Sequence, residues 1–234
     1  MRFYRQAPTQ ESGENIFWIS MSDLFQGLLI LFVILFALSI TGLTKQNIDQ
    51  ATVKNKIYQK LSMQFKEQGV PVEIDRFTGN IKILDLELFD LNKWTISEKG
   101  KKYLDKIIPT YLNTLLGDPE IEKHISQIII EGHTDSQGFK NSKSKYDNYN
   151  KNLDLSLKRA YAVTEYVVNH DFPQKNKYKN HMITILSTNG KSFSAPVIVN
   201  NKEDYKKSRR VELKFQLTSY NFLDLVGKYK INKE

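Results

Sequence analysis

Residues 125–138 read ISQIIIEGHTDSQG. The first nine, Ile125–His133, form an apolar, isoleucine-rich strand run. Side chains alternate along a strand, so Glu131, His133 and, if the strand persists that far, Asp135 share one face. Working outward, NLDLSLKRAYAV at 152–163 belongs to a helix expected over Leu153–Asn169. Its apolar stripe is Leu153, Leu157, Ala160, Thr164 and Val167. Asn152, Ser156 and Arg159, at i, i+4 and i+7, also fall together on one face. SRRVEL at 208–213 leads into a last strand, Val211–Leu217. A carboxylate at a strand end and a guanidinium on a helix can together clamp a zwitterion. Asp135 would take an ammonium, and Arg159 a carboxylate through its forked donors.

Around this centre the pattern is α+β. Val72–Asp75 and Asn80–Leu84 are expected to pair as strands about Thr78-Gly79. Ser97–Leu116 is expected as a helix with Ser97 as N-cap, and Pro109 should kink or break it. Met182–Leu186 is expected as a strand. Leu223, Leu225 and Val226 give a short apolar tail able to cap the domain. The segment FKNSKSKYDNYNK at 139–151 is expected as a long basic loop at the rim of the clamp.

Upstream, the chain changes character. From Asn15 to Thr44 the only ionisable side chain is Asp23, and Leu24–Leu43 reads LFQGLLILFVILFALSITGL. Twenty residues at ~1.5 Å each span roughly 30 Å, one hydrocarbon thickness. A soluble helix of that length would carry a polar stripe, and this one carries none. A cleaved signal peptide is the competing reading, with Ala37-x-Ser39 as its site; however, a lead containing Glu11 and Glu14 is long for an n-region. An uncleaved single span is therefore expected. Between span and domain, residues 45–68 lack Gly and Pro, and Val53, Ile57, Leu61 and Phe65 line one face of an amphipathic neck, free to pack on a partner copy or on the membrane surface. Gly69 and Pro71 end it. The expected organisation is a cytoplasmic lead at 1–15, a transmembrane helix at 16–43, a neck at 44–70, a domain at 71–218 and a tail at 219–234.

Composition narrows the function classes. The 234 residues carry 34 Lys+Arg against 26 Asp+Glu, net +8, with 40% apolar and 26% charged residues and no cysteine. Disulfide scaffolds and cysteine-based zinc or nucleophile sites are excluded. The lysines are scattered without an aromatic platform or recognition helix, so nucleic acid is not an expected partner. Glu131, His133 and Asp135 lack a fourth ligand, so no metal is expected. Nothing in the sequence points to an enzyme.

Asp23 stands apart. A carboxylate beside a membrane span is costly and marks a functional candidate by default. It could carry a proton or another cation by switching between neutral and charged forms. The plainer alternative places it at the interface as a helix N-cap, a role open also to Ser20 and Ser22.

The three C-terminal strings resemble the OmpA-like peptidoglycan-binding family, whose pattern is G-H-T-D-x-x-G, then N-x-x-L-S-x-x-R-A, then N-R-R-V-E. Gly132, His133, Thr134, Asp135 and Gly138 match the first part; Asn152, Leu155, Ser156, Arg159 and Ala160 the second; Arg209, Arg210, Val211 and Glu212 the third. Ser208 stands where the family has Asn. The resemblance covers about 72–217. It implies a βαβαβ sandwich, with Asp135 and Arg159 holding the diaminopimelate of the stem peptide. Thr134, Asn152, Ser156, Arg209 and Arg210 complete the implied peptidoglycan site.

Joined to a single span carrying Asp23 in WISMSDLF (18–25), this domain resembles the B subunit of ion-driven stator motors. The short chain is most similar to the Zorya anti-phage defence branch, with the flagellar stator B subunit as a relative. A passive peptidoglycan anchor without ion transport is the alternative. The resemblance implies two B chains, a self-dimer, inside a ring of five polytopic A subunits. Asp23 would then pass H+ or Na+, with H+ favoured, and no cofactor is implied. Peptidoglycan lies outside the bacterial inner membrane, so a wall-binding domain requires a cytoplasmic N-terminus. That requirement outweighs the lysines at 45, 54, 56 and 60, which taken alone favour the opposite orientation.

Overall fold

The computed structural model describes residues 11–90 and 93–218. Most of the polar lead and the apolar tail with Leu223, Leu225 and Val226 lie outside the described residues. The chain divides into two compact units, Met1–Asp49 and Gln50–Glu234, and helix α1 (Glu11–Glu67) contributes to both.

In the first unit every side chain from Ser22 to Thr44 is exposed. This stretch lies in the one helix, among the described residues, long and apolar enough to cross a membrane. Leucines, isoleucines and phenylalanines exposed all round a helix are at home in lipid, where the helix satisfies its own backbone bonds. Asp23 is not a cap: α1 begins at Glu11, so Asp23 lies helix-internal. Ser22 is no cap either; its hydroxyl donates back to the Trp18 carbonyl (2.9 Å).

The second unit is built on a sheet with strand order β1-β2-β7-β3-β4. Its strands are β1 (Glu73–Ile74), β2 (Ile81–Leu84), β3 (Ile125–His133), β4 (Leu186–Gly190) and β7 (Arg210–Leu217). β3 and β4 are parallel and the other pairs antiparallel. β5 (Ile198–Val199) and β6 (Lys202–Glu203) form a separate hairpin. Against the main sheet pack α3 (Glu98–Leu116), α5 (Lys145–Asn169) and α6 (Lys175–Ile185), with short helices α2 (Asp85–Leu88), α4 (Pro119–Glu122) and α7 (Tyr205–Ser208) at the connections. This is the α+β arrangement expected.

The neck does not offer its stripe to a partner or a membrane. Ile57, Leu61 and Phe65 are buried in the same core as Leu104, Tyr111 and Leu115 of α3. Thr114 of α3 donates to the Gln64 side chain (2.8 Å). Lys56 and Lys60 pair with Asp118, and the bond from Lys60 leads the causes that hold that carboxyl at about 2. An i, i+4, i+8 stripe reveals that a helix buries one face, not what covers it.

Three further expectations change. Pro109 leaves α3 unbroken; the carbonyl that its missing N–H leaves without a helical donor belongs to Asp105, an exposed residue. Met182–Leu186 is not a strand. It closes α6, with Tyr178 and Met182 buried one turn apart, and only Leu186 starts β4; a short run of β-branched residues reads either way. The basic loop is shorter than expected, because α5 begins at Lys145, where the Ser144 side chain accepts from the Asp147 N–H (3.1 Å). The buried face of α5 is also rotated from the expected stripe. It is Asn152, Ser156, Arg159, Ala160, Val163 and Val167, while Leu157 is exposed.

Candidate functional site

β3 ends at His133, and the chain turns immediately. Asp135 therefore sits in the turn after the strand. The Ser136 hydroxyl and N–H both donate to the Glu203 carboxylate of β6, and the Asp135 carboxylate accepts from the Gln137 N–H (3.1 Å). These bonds fix Asp135 at one wall of a cleft of about 190 Å³. Its lining includes Asp85, Thr134, Asn152, Arg159 and Arg209.

Two ion pairs stand side by side there. Arg159 Nη2 lies 3.0 Å from Asp85 Oδ2, both side chains being about 5% exposed or less. Arg159 Nε donates to the Lys93 carbonyl (3.1 Å), and its guanidinium lies over the Phe89 ring. Arg209 pairs with Asp135. The two pairs meet because the Asp85 N–H donates to the Arg209 carbonyl (3.0 Å), next to the β2–β7 register Leu84↔Arg210.

Burial pushes the Asp85 carboxyl up against the pull of Arg159 and Arg209. Burial likewise lowers Arg159 against the pull of Asp85. Both shifts oppose charge: the guanidinium and carboxylate do not fully compensate each other's lost hydration. Two acids and two arginines leave the cleft neutral and bipolar, which suits a zwitterion better than an anionic polymer.

Of the residues singled out in the sequence, Thr134, Asp135, Asn152, Arg159 and Arg209 line this cleft. The Thr134 hydroxyl is buried without a partner, an available donor and acceptor on the wall. Asn152 acts on the rim: its amide donates to Asn148 (3.0 and 3.1 Å), and Asn148 Oδ1 in turn accepts from the Phe139 N–H (3.1 Å). Ser156 and Arg210 are not in the cleft. Ser156 is fully buried and holds the loop after β4, accepting from the Ser192 N–H (3.0 Å). Arg210 points the other way, to Glu212 (2.5 Å) and the Ala195 and Ser208 carbonyls. Arg209 follows α7 in extended backbone and Arg210 opens β7; consecutive residues in extended backbone point to opposite sides, so the two arginines part. Ser208 is buried, and its hydroxyl accepts from the Val197 N–H (3.0 Å). Asp85 was missed by sequence reasoning; its place follows only from the β2–β7 pairing.

The third acid near Glu131 and His133 is Glu212, not Asp135. The ligand atoms of this buried trio lie within 4.8 Å of one another. Its carboxylates already face cations: Lys214 at 2.5 Å from Glu131 and Arg210 at 2.5 Å from Glu212. His133 Nε2 lies 3.1 Å from Glu131, and Lys191 lies 3.8 Å away. The arrangement reads as an internal charge network under the clamp.

Burial opposes ionisation of Glu131, but His133 and Lys214 outweigh it and hold the carboxyl down from 4.5 to about 2. A depressed acid stabilises the fold above its unfolded pKa, and that contribution fades as pH falls from about 4.5 toward 2. The amount is on the order of 3 kcal/mol. Thermal unfolding of the detergent-solubilised chain from pH 6 to 2.5 should show a steep acid loss. In Glu131→Gln the neutral-pH stability should be lower and the acid slope flatter. An unchanged slope would place the acid sensitivity elsewhere.

Residues 88–210 match the OmpA family. Over 226 residues the chain is 30% identical to the Zorya protein ZorB of Escherichia coli (strain Crooks), covering 90% of this chain and 91% of that protein. A second Zorya protein ZorB, from Escherichia coli O139:H28, is 28% identical over 218 residues, covering 88% and 82%. Among solved structures, a MotB-like protein from Desulfovibrio vulgaris superposes with a TM-score of 0.52 at 16% identity, covering 76% of this chain and 98% of that one. That similarity shows a shared fold.

Proposed function

Because this chain belongs to the OmpA family and to the family of the Zorya protein ZorB, we propose that it is the B subunit of an ion-driven rotary motor in the bacterial inner membrane, working in anti-phage defence. Its C-terminal domain grips peptidoglycan in the periplasm. Asp23 carries H+ or Na+ through the membrane, H+ being favoured, and two copies sit within a ring of five polytopic A subunits. The wall-bound domain is the fixed point against which the ring turns.

The observation that carries the wall reading is the bipolar cleft. Asp135 offers a carboxylate to an ammonium. Arg159, held by Asp85 and by the Lys93 carbonyl, offers its remaining fork to a carboxylate. Diaminopimelate carries both groups on one carbon. The reading of Asp23 is supported by its place inside a helix among exposed apolar side chains, where a titratable group has no structural task.

Co-sedimentation of the detergent-solubilised chain with purified sacculi tests the clamp. Asp135→Ala and Arg159→Ala should each lower retention about tenfold, since a hydrogen bond to a charged group contributes roughly 1.5–3 kcal/mol. Asp135→Ala is the cleaner arm, because its partner Arg209 is partly exposed and water can take over. Arg159→Ala leaves Asp85 buried and alone, a loss of about 3–5 kcal/mol of fold stability, so thermal unfolding accompanies it. Equal retention of wild type and both variants would remove the clamp.

A further inference from the structure

A groove of about 640 Å³, larger than the cleft, runs beside it along the outer side of α5. One wall is Trp94–Ile96 and Lys101; the other is the α5 surface from Lys158 to Asn169, ending at His170. Trp94 is 47% exposed and Tyr161 58%, an unusual amount of aromatic surface to leave in water. The indole is held in place: Lys158 Nζ lies 4.9 Å from its centroid and is itself bonded to Asp154 (2.7 Å).

Groove and clamp are joined through the same segments. The Lys93 carbonyl that accepts from Arg159 Nε immediately precedes Trp94, and Lys158 immediately precedes Arg159. A molecule held by Arg159 and extending past it along α5 therefore runs into this groove. The groove's chemistry is amphipathic, with aromatic faces beside two lysines (Lys101 and Lys158), one carboxylate (Glu165) and one amide (Asn169). A pyranose ring has the matching character. Its C–H face lies against an aromatic ring, while its hydroxyls and acetamido group seek nitrogen and oxygen partners.

We propose that this groove binds the N-acetylated amino-sugar chain of the wall polymer, with Trp94 and Tyr161 as the stacking surfaces, so that the domain grips glycan and stem peptide together. The proposal rests on the peptidoglycan reading of the clamp. A wall polymer joins both parts covalently, so the second contact forms within an already bound ligand and adds affinity at high effective concentration.

Isothermal titration of the detergent-solubilised full chain with three probes tests it: a diaminopimelate-containing tripeptide, the same tripeptide carrying its amino-sugar disaccharide, and the disaccharide alone. The disaccharide-tripeptide should bind roughly five- to tenfold tighter than the bare tripeptide. Trp94→Ala should erase that gain and leave tripeptide affinity unchanged, and Trp94→Phe should keep most of it. Equal affinity of the wild type for the two peptides overturns the groove, as does a Trp94→Ala variant that weakens both alike. No tripeptide binding, with Trp94-dependent binding of the disaccharide, overturns the clamp and leaves the groove standing. Binding of no probe overturns both.

Discussion

Asp23→Asn is expected to abolish phage protection in cells carrying the complete system, while membrane amount and sacculus retention stay at wild-type levels. The substitution keeps the size and shape of the side chain and removes only its ability to titrate. Asp23 lies inside α1, between Ser22, whose hydroxyl bonds back to the Trp18 carbonyl, and the apolar run from Leu24. Every side chain from Ser22 to Thr44 is exposed in the single chain, so neither a buried partner nor a cap explains the acid. An acid in a membrane helix is disfavoured, by about 2.5–3.5 kcal/mol at the centre and by less toward the ends, and such residues face a bundle interior or a pathway. One elementary charge crossing the membrane field is worth about 2.3 kcal/mol per 100 mV. If that energy reaches the ring through Asp23, asparagine stops the cycle completely rather than slowing it. Asp23→Glu keeps the titration with a longer arm and should retain part of the protection. Full protection by Asp23→Asn would leave only a wall tether.

The span and the three motif strings were legible because each is local. An uninterrupted apolar run of twenty residues has few other homes, and a strand end followed by an acid needs no knowledge of its neighbours. What stayed hidden was pairing at long range. Asp85 reaches Arg159 only because β2 lies beside β7, and no spacing within the chain announces it. The neck stripe Ile57, Leu61 and Phe65 was visible, yet its burial against α3 depends on a helix forty residues later. Trp94 joined the groove for the same reason: its neighbour Lys93 is pinned by an arginine from α5. Arg210 and Ser156 were misplaced for a different reason. A matching string groups residues by sequence, whereas the strand period sends Arg210 to the far side and Ser156 is spent inside the fold.

The same distinction separates two glycines of one string, and Gly132→Ala should be the most damaging single-atom addition to the domain. Gly132 lies on β3 opposite Gly190 of β4, and α5 crosses directly over the pair. A Cβ at Gly132 would stand 2.0 Å from the Ser156 carbonyl oxygen and 2.9 Å from its carbon. Both are backbone atoms of a helix, which cannot turn aside as a side chain does. Relief requires moving α5, and with it Asn152 and Arg159 at the cleft. Overpacking typically destabilises by about 1–3 kcal/mol and occasionally by more; a clash this short against backbone belongs at or above the upper end. For a domain of this size that corresponds to a melting temperature lower by roughly 6–12 °C, with weakened sacculus retention, since the clamp rides on the displaced helix. Gly138 closes the same string, but the atoms nearest to a Cβ there are those of the Asn148 side chain, at 3.7 Å, an ordinary contact. Gly138→Ala should change stability by no more than about 0.5 kcal/mol. Calorimetry of the two variants side by side decides the matter: equal melting temperatures would mean that α5 does not rest on the glycine pair, and that the first glycine of the string serves the ligand instead of the packing.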